Sequence, residues 1–446
     1  MSAATLAIHP LLGCSGGSGG SGTSQYPKPE PGETFFTQGY DLPHAQNAQK
    51  LAEFLASEHF EYHLDGWFFM GDLVQGTASE PLPVHIETFF IAMQRIEMDL
   101  PGHPGFKVPF FPAIVGFNSA LTEGFIYGAI PALDDPPVVV VTPTPWSVSV
   151  NWFGQVLTMA LVSGQMGATG AKYRLFADIL DLKKNKRFQA EVLLRDRLGV
   201  VNQGYGTASF FPQFLTTNQR RLITGAFESS VPAYLASTQD PMICQGSFYY
   251  SFPLIDVEQF TIIYDGVTLS HGQRGTMWMD YVVQTYDKQA QEALIDKATW
   301  QFFAIRLPNA DAAIMVIQID SATGSLAVAS LFNIDGHRTR NNALMAAHSW
   351  DINEIEIKGV EEDKWESPRT HQHYYMQYRI HLSSATLPTD ITIKMLRQDQ
   401  EIEVPNPDSS KPNTIKYEGE AFVEGTLGDR PVKGMAFLEV QPAGHQ

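Results

Sequence analysis

Over 446 residues the chain is 44% hydrophobic but only 17% charged, against roughly 25% charged in ordinary globular proteins, which excludes a disordered chain. Its formal net charge of −18, with no sizeable Lys/Arg cluster to offset it, repels a phosphate backbone and excludes general nucleic-acid binding. Two cysteines, Cys14 and Cys244, with no CxxC or Cys/His spacing, provide neither a disulfide framework nor a metal site.

Residues 1–32 read as a leader followed by a flexible linker. Leu11-Leu-Gly-Cys14 is similar to a lipoprotein box, and the Gly/Ser run 15–22 suits a polar tether behind it. Lipidation at Cys14 would make the protein an exported lipoprotein at the cell envelope. No Lys or Arg precedes Lys28, so the basic stretch of a signal peptide is missing. The alternative is a disordered tail on a soluble cytoplasmic protein. No later apolar run reaches the roughly 20 residues of a membrane span.

Residues 45–58 predict a helix, with Leu51, Phe54 and Leu55 at helical spacing. Strands follow. Trp67–Val74 and Val84–Ile91 form a hairpin, and Val138–Val141 is a short buried strand between prolines. Tyr173–Leu180 and Phe188–Leu194 flank a polar turn at Lys183. Gly246–Phe252, Phe260–Tyr264 and Gly275–Val283 complete a β-domain over 33–287. The polar stretch Asp287–Thr299 separates it from a second domain over 298–446. There, strands are expected at Trp300–Leu307, Ala312–Ile319, Ser325–Asn333, Ile352–Gly359, Tyr374–Leu382, Ile391–Leu396, Tyr417–Thr426 and Pro431–Val440. The fold class is therefore all-β: two tandem antiparallel domains, the second a closed or nearly closed barrel of lipocalin type.

Several separated segments carry a family resemblance: Asp65–Leu73, Glu87-Thr-Phe-Phe90, Phe248-Tyr-Tyr-Ser251, Gly275-Thr-Met-Trp-Met-Asp280, Trp365–Thr370, and Tyr417-Glu-Gly419 with Leu438-Glu439. In order and spacing the chain resembles the AttH / hydroxyneurosporene synthase superfamily over about residues 60–440. That resemblance implies a sandwich-like half and a lipocalin-like half, with ligands bound between or within them. It also implies chemistry on long, apolar, unsaturated molecules without an organic cofactor, as in carotenoid 1,2-hydratases, kievitone hydratase and decalin-forming Diels–Alderases. A fold does not choose among these. The usual His-Glu-Trp after the motif's Asp is replaced here by Tyr281-Val-Val283.

Asp280 is the first candidate for a chemical role. Strand alternation places Thr276, Trp278 and Asp280 on one face. A buried carboxyl there would hold its proton and deliver it to an alkene, while the Trp278 indole stabilises the cation. The alternative is a structural acceptor. His85 and Glu87 share a face as a polar pair in the cavity or as a solvent-facing hairpin edge. Glu418, beside Tyr417, is a second cavity carboxylate or a structural acceptor. Trp67, Trp300 and Tyr249 line the cavity or fill the core. His371 and His373 lack a suitably spaced third metal ligand and read as turn residues.

Three functions fit: a cofactor-independent hydratase or cyclase of a hydrophobic isoprenoid or polyene, a Diels–Alderase-type pericyclase of a polyketide pathway, or a non-enzymatic lipid-binding lipocalin-like lipoprotein. All three require a dry hollow that admits an apolar guest.

Overall fold

The computed structural model describes residues 33–35, 47–57, 64–76, 85–100, 103–110, 113–122, 126–130, 138–181, 184–205, 214–216, 248–284, 298–321, 324–339, 341–350, 352–404 and 414–441. Cys14, the Gly/Ser run and most of the polar segment at 287–299 lie outside them. No helix among the described residues is long and apolar enough to cross a membrane.

Two large antiparallel sheets make up nearly all of the structure. Those used below are β1 (Leu64–Val74), β2 (Ile86–Leu100), β3 (Phe248–Tyr264), β4 (Arg274–Gln284), β5 (Ala298–Leu307), β6 (Thr414–Leu427) and β7 (Arg430–Gln441). The first sheet has 14 strands and runs through β2-β1-β4-β3 at its centre, out to the edge strand Val138–Pro143. The second has 10 strands and runs through β5-β7-β6. The sequence-predicted hairpin β1/β2 forms with Leu64 opposite Ile96 and Val74 opposite Ile86. The two segments expected at Gly246–Phe252 and Phe260–Tyr264 are one 17-residue strand, β3, whose register shifts between Phe252 and Ile255 around Pro253. Val138–Val141 is not fully buried. It is the outermost strand of the described sheet: Val139 and Val141 pack against the N-terminal core, while Val138 and Val140, on its other face, are exposed.

Helix α1 (Ala48–Leu55) starts at Asn47, whose side chain accepts from the Lys50 N–H at 2.9 Å, and buries Leu51 and Leu55. It packs on the N-terminal core, where the Trp67 indole donates to the Leu55 carbonyl at 2.9 Å.

Alternation along the central strands gives each sheet two buried faces there, while the outer strands keep one face exposed. On β1, Trp67, Phe69 and Leu73 enter the N-terminal core, together with Met277, Met279 and Tyr281 of β4. Phe303 and Ile305 of β5, Tyr417 of β6 and Leu438 of β7 fill the C-terminal core. The residues between them turn the other way and meet across a seam. There Phe90 of β2 packs edge-on to Phe437 of β7, and Trp278 of β4 edge-on to Phe302 of β5, each with centroids 6.3 Å apart.

The seam is polar at one end. Arg306 of β5 is fully buried. Its Nη2 bonds Glu420 Oε2 of β6 at 2.6 Å and Asp72 Oδ1 of β1 at 3.3 Å. Its Nε donates to Thr276 Oγ1 at 3.1 Å, and that hydroxyl donates to Asp72 Oδ1 at 2.6 Å. Gly275, which opens the Gly-x-x-Trp-Met-Asp segment, has φ +142° here. A Cβ at that position would lie 2.2 Å from the Asp72 carbonyl oxygen, so only glycine lets β4 approach β1 this closely.

The Trp365–Thr370 segment also has a structural explanation. Ser367, Arg369, Thr370 and Tyr374 all donate to the buried Glu401 carboxylate, at 3.0, 2.8, 2.6 and 2.9 Å. His371 and His373 stand exposed on either side of Glu366.

Candidate active site at the seam

Asp280 sits on the seam face of β4, between Phe68 of β1 and Ser251 of β3 in the register. It is 1% exposed. Trp278 Nε1 and Ser251 Oγ donate to its Oδ1, each at 2.6 Å, and the Tyr249 hydroxyl donates to Oδ2 at 2.7 Å. Burial pushes the Asp280 carboxyl up to about 7, and the Glu439 charge adds to this against the pull of the three donors. The same burial, with Asp280 beside it, holds the Tyr249 hydroxyl well above its usual range. Asp280 is thus a buried carboxyl held by three donors and poised between its protonated and ionised forms near neutral pH.

The other side of the seam supplies a second charged group. Glu418 of β6 and Glu439 of β7 are directly opposite in the register, and both are buried. Trp300 Nε1 donates to Glu439 Oε1 at 2.9 Å. The fully buried Lys416 ammonium bonds the same oxygen and lies 4.9 Å from the Trp300 ring centroid. Burial and the Glu439 charge drive Glu418 well above the usual carboxylate range.

Asp280, Glu418 and Glu439 line one cavity between the halves, walled by Phe68, Met70, Phe90, Ile402 and Phe437. Its volume is about 30 Å³, room for water rather than for a polyene. The hollow expected from the aromatic strands is thus nearly filled, because rings from both sheets interlock there.

The structure brings together Asp280, Trp278, Tyr249, Trp300 and Glu418, and it separates the rest. Trp67 faces the N-terminal core, 5.4 Å from the Tyr281 ring and 5.9 Å from the Trp146 ring. Tyr417 faces the C-terminal core, its hydroxyl donating to the Arg397 carbonyl at 2.7 Å. Each is one residue out of phase with a seam residue, Phe68 or Glu418, so alternation turns its side chain to the opposite face of the sheet. His85 is half-buried and Glu87 fully so, which rules out a solvent-facing edge for Glu87. Ser119 Oγ donates to Glu87 at 3.3 Å, and burial raises the carboxyl to about 7 against the nearby Arg397 charge. Neither residue lines the seam cavity. Sequence reasoning missed Ser251, Lys416 and Glu439 as site residues. Same-strand parity with Tyr249 and Glu418 was the available signal for Ser251 and Lys416, whereas Glu439 joins the site only through the pairing of β6 with β7.

No family model matches the chain, and no curated protein matches it. Among solved structures, it is similar to a putative AttH from Nitrosomonas europaea, with 17% identity, 86% of this chain and 94% of that one covered, and a TM-score of 0.53. Kievitone hydratase from Nectria haematococca aligns at 12% identity over 94% and 98% of the two chains, with a TM-score of 0.49. CghA aligns at 12% over 86% and 90%, with a TM-score of 0.45. At the level of fold, the chain has the two-sheet architecture of the AttH-like structure that its sequence motifs resemble.

Proposed function

We propose that the protein is a cofactor-independent hydratase or cyclase of a hydrophobic isoprenoid or polyene, with Asp280 as the acid that protonates a carbon–carbon double bond. The observation that carries this reading is the Asp280 carboxyl itself. It is buried beside an indole, holds its proton up to about pH 7, and lines an apolar cavity between the two halves. Protonation in such a place generates a cation away from bulk water, and the Trp278 N–H steadies the carboxylate left behind.

Asp280→Asn preserves the shape of the side chain and removes the transferable proton. It should lower turnover by about 1,000-fold while leaving ligand binding and the circular dichroism spectrum near those of the parent. The substrate comes first from native mass spectrometry of protein purified from its own source, as a co-purified apolar molecule. An Asp280→Asn variant that turns that molecule over at the parental rate removes the mechanism.

A guest of this size requires the seam aromatics to part. Phe437→Ala should open that space directly. Titration with a fluorescent polyenoic fatty acid should show binding at least several-fold tighter than for the parent. Stability should fall by on the order of 3–5 kcal/mol, as for other buried Phe→Ala changes. Unchanged affinity would place the guest elsewhere.

A further inference from the structure

We infer that Glu439, clamped by Lys416 and Trp300 and faced by Glu418, is the base that takes a proton from the water added to the substrate. This rests on reading Asp280 as the acid, and it makes the reaction a hydration rather than a cyclisation.

Three observations lead to it. First, Glu439 and Glu418 line the same cavity as Asp280 but come from the opposite sheet, so a molecule between them has an acid on one side and carboxylates on the other. Second, the group is unequal in charge. Two carboxylates share one buried ammonium, so a single ion pair does not account for both. Lys416 and the Trp300 indole both bond Glu439 Oε1 and favour its ionised form, against the burial that raises its carboxyl, and neither of these bonds occupies Oε2. Glu418, opposite it, keeps a proton because burial and the Glu439 charge both oppose its ionisation. Third, the cavity has room for water beside these groups.

The step balances. The π pair of the alkene forms a C–H bond with the Asp280 proton, leaving a cation on the more substituted carbon. A water lone pair forms the C–O bond to that carbon. One water O–H bond breaks, and its proton passes to Glu439. Asp280 ends ionised and Glu439 protonated. Proton return from Glu439 to Asp280 through water restores both, and the net reaction is addition of H–OH.

The test separates the two halves of the reaction by isotope. Squalene, which carries terminal trisubstituted double bonds, is incubated with the full chain in D₂O enriched in ¹⁸O. The parent should yield a tertiary alcohol with deuterium on carbon and ¹⁸O in the hydroxyl. Glu439→Gln should still exchange deuterium into recovered squalene, because the cation forms and collapses back, while ¹⁸O incorporation falls at least 100-fold. Asp280→Asn should lose both labels. Glu439→Gln leaves the buried Lys416 ammonium with only Glu418 to offset it, so Lys416→Met/Glu439→Gln is measured beside it and should show the same split with a parental circular dichroism spectrum. Loss of both labels in a folded Glu439 variant, or ¹⁸O incorporation at the parental rate, overturns the role of Glu439. A parent that labels squalene with neither isotope, or an active Asp280→Asn, overturns the Asp280 reading instead.

Discussion

Replacing Arg306 with alanine is expected to destabilise the protein by on the order of 3–5 kcal/mol. Arg306 is fully buried, and among the described residues it is the cation shared by Asp72 of the first sheet and Glu420 of the second. Without it, both carboxyls remain in a low-dielectric seam with no counter-charge. Burial already raises each of them despite the guanidinium, so they would take up protons instead of staying ionised. The loss should appear in urea denaturation as a lower midpoint, with the transition broadening or splitting as the two sheets lose their common tie. Asp72→Asn/Glu420→Gln in the Arg306→Ala background should recover part of the loss, since neutral side chains no longer need the cation. A change below about 1 kcal/mol for Arg306→Ala would show that the seam is held by its apolar contacts alone.

How much of this was legible beforehand depended on whether a feature follows from local pattern or from pairing between distant strands. The β1/β2 hairpin, helix α1 and the strands of the second sheet follow from alternation, helical spacing and turn residues near in sequence. Asp280 and Trp278 could be matched because they lie two apart on one strand. Tyr249 and Ser251 likewise share a face, but only the pairing of β3 with β4 shows that this face meets Asp280. Glu439 was hidden for the same reason: its partners are Trp300, 139 residues away, and Lys416, 23 away on the neighbouring strand. Of the two readings of Trp67, cavity wall or core, the structure has the core. Residue type suggested a cavity wall, but its neighbour Phe68 occupies that face. The exposure of Val138 and Val140 could not be read locally either, since a run of valines looks the same in a central strand and at an uncovered edge.

The buried acids lead to a second large effect, in the pH dependence of stability. Asp280, Glu87 and Asp196 each hold their proton to about pH 7 in the folded protein, in every case chiefly through burial. In the unfolded chain the same groups ionise near 3.8 for Asp and 4.5 for Glu. Between about pH 4 and 7 the unfolded state therefore binds fewer protons than the folded one, and stability falls as pH rises. Below that window both states are protonated, and above it both are ionised, so the slope vanishes at either side. Glu361 and Glu366 are shifted the opposite way by their partners, but they are fully exposed and solvent screens them. The net charge of −18 works in the same direction as the buried acids, since self-repulsion grows as more carboxyls ionise. Calorimetry should show Tm decreasing by on the order of 10 °C from pH 5 to pH 7.5. Asp280→Asn should flatten the profile by removing one of the titrating groups, and it should raise Tm at pH 7.5 relative to the parent. A Tm that climbs across this interval would mean that the three carboxyls are already ionised in the folded state at pH 5. Asp280 would then have no proton to give a substrate near neutral pH, so this measurement bears on the proposed acid without requiring the substrate to be known.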